Sequence, residues 1–331
     1  PLETQRIEVP YPRFTRWRES GGELSPDWYL HSDPWEPEPA VYVAGYYDNG
    51  NNTMAAYWVD DGSGEKPVPE DLYTSGNSSA EDVVGLGETV YAAGYFTNSS
   101  GNQSAGYWRN GTLEELYSDT SGSDTGAGKA IWVEGATVYV AGYIIEEGVW
   151  KACYWKYEDG DGEEIEQTIL HDKSIASKSE AFDITVSEDN VYIAGYYKGD
   201  TNYACYWIND KTERIDLNTT NYSQAYAIYI DDSTVYTAGR SFSGTLVGCY
   251  WEGTNQIDLS TSGSEAFDIT GDGTNVFIAG YYENSSGKEV ACYWLVGNSA
   301  PVDLINSSSY SARALGIEVY NDLVYASGYV D

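Results

Sequence analysis

The sequence predicts an all-β chain folded as a seven-bladed β-propeller of four-stranded antiparallel blades, the last blade closed by strands from both termini. Three observations carry that expectation. A phrase of the type VYxAGY begins at Val41, Val90, Val138, Val191, Val235, Val276 and Val324, at spacings of 41 to 53 residues. A second phrase ending in Tyr-Trp follows each of the first six, at Trp58, Trp108, Trp155, Trp207, Trp251 and Trp294. A period in this range marks a repeat architecture. No stretch sustains a helical period, and each unit divides into four short runs rich in β-branched and aromatic residues, which is strand chemistry.

The unit Ser179–Leu217 shows the elements in order. Strand A is read at Ala181–Val186, B at Val191–Tyr197, C at Tyr203–Ile208 and D at Arg214–Leu217. Turn clusters separate them: Glu188-Asp189-Asn190, then Lys198–Asn202, then Asn209–Thr212. Strand B carries apolar or small residues on both faces, as expected of a sheet sandwiched between two neighbours. Its Ala-Gly pair points to a close backbone approach. Six such units fill residues 41–311, and 312–331 supply only A-like and B-like runs. The missing half is expected from residues 10–30, with Arg13–Arg18 (RFTRWR) as strand C and Leu24–Leu30 as D. The connector 31–40 is Pro-rich, with Pro34, Pro37 and Pro39, and suits irregular pairing. On this reading residues 1–331 form one propeller domain, because closure removes exposed sheet edges.

A strand-B phrase followed by a turn and an aromatic strand C resembles kelch-type blades and the YVTN-type repeats of microbial surface proteins. The Gly-Gly of kelch and the Thr-Asn of YVTN are both replaced here by Ala-Gly, as at Ala194-Gly195. The resemblance implies the propeller fold and a surface-exposed setting, and it transfers no functional residue.

Composition bounds the partners. The chain has 331 residues and a formal charge of −35, from 52 acids against 17 bases. Nucleic acid and anionic membrane would be repelled at long range. No run has the apolar length of a membrane span. The chain opens on Pro1 rather than Met, which reads as a processed or trimmed product. Cys153, Cys205, Cys249 and Cys292 all stand two residues before a Trp, in a slot that holds Ala56 and Gly106 in the first two units. Equivalent positions in successive units do not make a disulfide framework, so each reads as a small buried thiol.

In a four-stranded blade the D–A and B–C connections share one face and the A–B and C–D turns share the other. N-x-S/T sequons begin at Asn51, Asn77, Asn98, Asn102, Asn110, Asn218, Asn221, Asn284 and Asn306. All but Asn110 fall in D–A or B–C loops, which predicts a secreted protein glycosylated on one face. Acids collect on the opposite face. Among them Asp159, Asp161 and Glu163 in DGDGE space carboxylates as a calcium loop does, although Asp-Gly is also ordinary hairpin chemistry. Calcium is therefore the one cofactor the sequence raises. The two histidines, His31 and His171, stand in loops without a nucleophile motif. The expected function is an extracellular structural or interaction module without catalysis, a surface or filament-forming glycoprotein. It would bind itself, another extracellular protein or a glycan. The alternatives are a carbohydrate-binding propeller and, third, an enzyme acting on polysaccharide.

Overall fold

The computed structural model describes residues 41–331 except 61–66, 74, 118–124, 159–163, 175, 260–262, 299 and 321–322. Everything described is strand or turn. Blade 1 contains β1 (Val41–Asp48), β2 (Thr53–Asp60) and β3 (Glu70–Asp71). Blade 2 is β4 (Ser78–Leu86), β5 (Thr89–Thr97), β6 (Gln103–Arg109) and β7 (Thr112–Tyr117). Blade 3 is β8 (Thr125–Glu134), β9 (Thr137–Glu146), β10 (Val149–Glu158) and β11 (Glu166–Ile169). Blade 4 is β12 (Lys178–Ser187), β13 (Asn190–Lys198), β14 (Asn202–Ile208) and β15 (Asp210–Asp216). Blade 5 is β16 (Tyr222–Asp231), β17 (Thr234–Phe242), β18 (Leu246–Glu252) and β19 (Asn255–Asp258). Blade 6 is β20 (Ser264–Gly271), β21 (Val276–Glu283), β22 (Glu289–Leu295) and β23 (Val302–Ile305). A pair, β24 (Ala312–Tyr320) and β25 (Leu323–Val330), follows.

Within each sheet the strands pair in sequence order and antiparallel, as the repeats predict. Strand A of each unit touches strand A of the next, which places the A strands around the axis. The count of seven is not reached. Five blades have four strands, blade 1 has three, and β24–β25 stand as a two-stranded sheet. The strands expected to complete that sheet, in residues 10–30, lie outside the described residues, as does the connector 31–40. Burial follows the missing neighbours. Ala194 and Gly195 of β13 are buried, whereas Ala44 and Gly45 of β1 are only half-buried, and in β25 the equivalent Ser327 is half-buried and Gly328 exposed.

The turns explain their own residues. Glu188 and Asp189 have φ of 49° and 63°, the two positive values a two-residue type I′ hairpin demands. Asn110 and Gly111, at 46° and 78°, make the same turn between β6 and β7. The Ala-Gly phrase also has a concrete cause. Each complete strand A carries a bulge, at Ala181/Asp183 in blade 4 and Ala266/Asp268 in blade 6. The bulge folds the carbonyl of Glu180 onto Gly195 and that of Glu265 onto Gly280, where a side chain would collide with it. Beyond each of these glycines lies the indole of Trp207 or Trp294.

Those indoles fill the blade interfaces. Trp108, Trp155, Trp207, Trp251 and Trp294 are almost wholly buried, and their Nε1–H groups meet no acceptor. An unpaired indole N–H costs roughly 1–3 kcal/mol. Each large ring's burial outweighs that. All four cysteines are free and buried beside them, and burial pushes every thiol's pKa up, so they pack as small apolar groups.

Candidate functional site at the channel mouth

The bulges that shape strand A also decide what faces the axis. The extra residue in each bulge is Glu81, Lys129, Phe182, Tyr226, Phe267 or Leu315. Two of the six are charged, with Lys129 and Glu81 paired at 3.0 Å. Three successive others form an aromatic arc. Phe182 lies 5.3 Å from Tyr226, and Tyr226 lies 5.9 Å from Phe267, measured between ring centroids. Tyr196 and Tyr281 extend the arc at its ends, at 5.7 and 5.9 Å. The three central rings are half-buried, so each presents part of a face or edge.

A polar network stands beside the arc, built from the strand-B residue after Ala-Gly. That residue is Tyr in every unit except blade 5, where Arg240 replaces it. The Tyr196 hydroxyl donates to Glu180 at 2.9 Å. Arg240 donates to Gln224 Oε1 at 2.6 Å, to Glu265 Oε1 at 2.9 Å and to the Tyr222 hydroxyl at 3.0 Å. Arg313 grips Glu289 through two bonds of 2.5 and 2.6 Å, the bidentate geometry of a guanidinium on a carboxylate. Burial pushes the Tyr196, Tyr226 and Tyr281 hydroxyls well up, and neighbouring Glu180 or Glu265 adds to it. They are therefore fixed as neutral donors, and the cations are already paired. The arrangement offers stacking surfaces to a ligand, with the tyrosine hydroxyls already donating to Glu180, Gln224 and Glu265.

Deeper in, three carboxyls tie blades together. The Asp183 carboxyl accepts from its neighbour Ile184 N–H at 2.7 Å and from Ile228 N–H of blade 5 at 2.7 Å. Asp82 does the same to Val83 and Ile131, and Asp268 to Ile269 and Ile317. The facing slots hold Ala130, Ala227 and Gly316, so Asp and small residues alternate around the axis. Burial pushes Asp82 up to about 6 and Asp268 up to about 7 against the pull of two amides each. Asp183 is raised well above its usual value by burial and then by Asp268. Sequence reasoning missed these three because they repeat every second unit. Arg240 was visible as the one departure in VYTAGR.

The sequence-predicted residues divide. Asp159, Asp161 and Glu163 lie outside the described residues, and among the described residues no cluster of three metal-ligating side chains occurs. His31 also lies outside them. His171 is buried, with Nδ1 2.8 Å from the Ser179 hydroxyl, which itself accepts from Ala152 N–H. Burial lowers its pKa, with Lys151 adding to the effect. Several sequon asparagines work as loop locks. The Nδ2 of Asn98 donates to Ser104, that of Asn218 to Gln256, that of Asn284 to Asn306 and that of Asn306 to Asp303. Asn77 accepts from Thr53 N–H and Asn110 from Val90 N–H through their side-chain oxygens. Asn51 is exposed, and Asn102 and Asn221 are half-buried.

A family model described as "Domain of unknown function (DUF4842)" matches residues 1–29, a small part of the chain. No curated protein matches. Among solved structures the chain is similar to the β-propeller domain of the Trilobed protease from Pyrococcus furiosus, described as having an open velcro topology. The TM-score is 0.54 at 10% identity, over 90% of this chain and 93% of that one. It is also similar to the Pyrococcus horikoshii acylaminoacyl peptidase, with TM-score 0.54 and 12% identity, over 90% of this chain and 50% of that one. At such identities the likeness establishes the β-propeller fold.

Proposed function

We propose that the chain is a non-catalytic interaction module of an extracellular, glycosylated protein, and that it binds its partner at the channel mouth. The aromatic arc Phe182–Tyr226–Phe267 carries this reading, because three successive blades present a ring at the same bulge position. Support for a binding rather than a catalytic role comes from the groups around it. The tyrosines are held as donors, Arg240 and Arg313 are ion-paired, and His171 and the thiols are buried in packing roles. Self-association, including a filament, is one use of such a face, and glycan binding is the alternative. Among the described residues no helix is long and apolar enough to cross a membrane.

Immobilised peptides and glycans test the reading. Wild-type protein should retain at least one class, and Phe182→Ala/Phe267→Ala should lose it at least tenfold with its near-ultraviolet dichroism unchanged. Turnover of any peptide or polysaccharide, or binding that survives loss of the arc, would overturn it. Glycosylation belongs to the same proposal, and intact mass before and after deglycosylation checks it. Occupancy is expected at Asn51, Asn102 and Asn221, and absence is expected at Asn98, Asn218, Asn284 and Asn306, whose Nδ2 atoms are engaged. A protein of unmodified mass from a glycosylating host would remove the secreted setting.

A further inference from the structure

Blade 4 departs from its siblings at three places, and all three departures meet in one depression. The third residue after the Ala-Gly glycine is Lys198 here, whereas the other five blades hold Asp48, Thr97, Ile145, Phe242 and Glu283. The strand-D partner of the core Trp is Arg214, opposite Trp207, where other blades place Leu113, Gln167 or Gln256. The D–A connection entering the blade, residues 170–177, is the longest such connection between the strands described, and it carries Lys173. Lys173, Lys198 and Arg214 line an open depression of about 670 Å³ together with Asp200, Tyr197 and Tyr203. Because the chain repeats, its own sibling blades show what packing alone requires, and packing does not require these cations.

The two lysines differ in pairing from most of the described cations, although Lys211 and Lys288 also form no ion pair with a described residue. Lys129, Lys151, Lys156, Lys178, Arg240 and Arg313 each form an ion pair. Lys173 and Lys198 are exposed and form no ion pair with a described residue. Arg214 is held in place, its guanidinium 3.9 Å above the Tyr197 ring and its Nε donating to Asp216 at 2.7 Å. The depression thus has a fixed planar cation on its floor and two unpaired ammonium groups at its rim. Asp200 and the serines Ser174 and Ser177 supply short polar groups between them, and Tyr203 keeps part of its ring half-buried beside them.

We propose that this depression binds an acidic sugar. The ammonium groups would take the carboxylate or sulfate as charge-assisted partners. The short polar groups would take ring hydroxyls, and the partly exposed Tyr203 ring would take the apolar face of the pyranose. The overall charge of −35 is no obstacle to a small ligand, since charges more than about 8 Å away are largely screened at physiological ionic strength. The site is separate from the channel mouth and stands whether or not the arc binds anything.

Calorimetric titration with trigalacturonate tests it. Wild-type protein should bind, and the fully methyl-esterified trimer, which lacks the charge, should bind at least tenfold more weakly. Lys173→Ala/Lys198→Glu should lose at least tenfold in affinity. The second change installs the residue blade 6 already tolerates in that slot, so folding should be spared. Lys288→Ala, a lysine of the β21–β22 connection in blade 6, should bind as wild type. Absence of trigalacturonate binding, or unchanged binding by the double lysine variant, overturns the proposal. Equal binding of inorganic phosphate at the same concentration also overturns it, because the site would then read charge without the sugar.

Discussion

At the scale of single residues, the half-buried aspartates between blades make stability depend on pH in a defined direction. Asp82 and Asp268 have folded values of about 6 and about 7, raised by burial from a usual value near 3.8. The native state therefore binds more protons than the unfolded chain between about pH 4 and pH 7. Stability is greatest below the unfolded value and falls as pH rises through the folded values. Each pKa unit corresponds to about 1.4 kcal/mol, so each site amounts to a few kcal/mol at most. Urea midpoints should fall from pH 4.5 to pH 7.5. The surface acids Asp172, Asp210 and Asp272, lowered by hydrogen bonds to their carboxylates, contribute with the opposite sign, so the decisive comparison is Asp268→Asn, which removes the titrating carboxyl and should show a shallower fall than wild type. Parallel pH curves for the two proteins would rule out that carboxyl as a source. The sequence made the cysteine slots legible because Ala56 and Gly106 stand in the same slot of other blades. It hid the aspartates, although the alternation is written there as Asp82, Ala130, Asp183, Ala227, Asp268 and Gly316. The device joins blades in pairs, and a period of one blade does not reveal it.

Strands and blades follow the same logic with one step more. Strand order, hairpin turns and the alternation of loops between faces were all legible, because turn chemistry and β-propensity act within a few residues. The reason for Ala-Gly was legible only in outline. The sequence pointed to a close approach, and the structure identifies the carbonyl of the bulged neighbour, as Glu180 on Gly195. Gly195→Ala should therefore cost more than an ordinary Gly-to-Ala change in a strand, about 2 kcal/mol or more, because the carbonyl and Trp207 confine the site from two sides. A chemical-denaturation midpoint within error of wild type would mean that the bulge relaxes freely. The network around Arg240 lay beyond sequence reasoning, since its partners come from β16 and β20. Restoring the repeat with Arg240→Tyr should destabilise the fold by about 1–3 kcal/mol despite matching every sibling. It would leave Glu265, only 8% exposed, without its cation. A variant as stable as wild type would show that the Tyr slot and the Arg slot are interchangeable.

For the whole molecule the open question in the fold is the seam. Strand B of each complete blade pairs on both edges, but β25 pairs only with β24 among the described residues. An unpaired edge of this length invites another strand. Within-chain closure by residues 10–30 is the donor we propose, with RFTRWR taking the place of a strand C. The match of residues 1–29 to a separate family model supplies the competing possibility, in which that stretch belongs to a unit of its own. A third donor is the same stretch of a second copy, which would pair head to tail and build a filament. Hydrogen exchange on the full chain and on a chain lacking residues 1–30 separates the three. Closure predicts that the Val324–Tyr329 amides are protected in the full chain at every concentration. In the shorter chain they should exchange at least tenfold faster, and the melting temperature should fall. Pairing between copies predicts protection that grows with concentration in the full chain and is absent from the shorter one. Equal exchange of β25 in both chains at all concentrations, with an unchanged melt, would assign the segment to a separate unit and leave the propeller stable with an open edge.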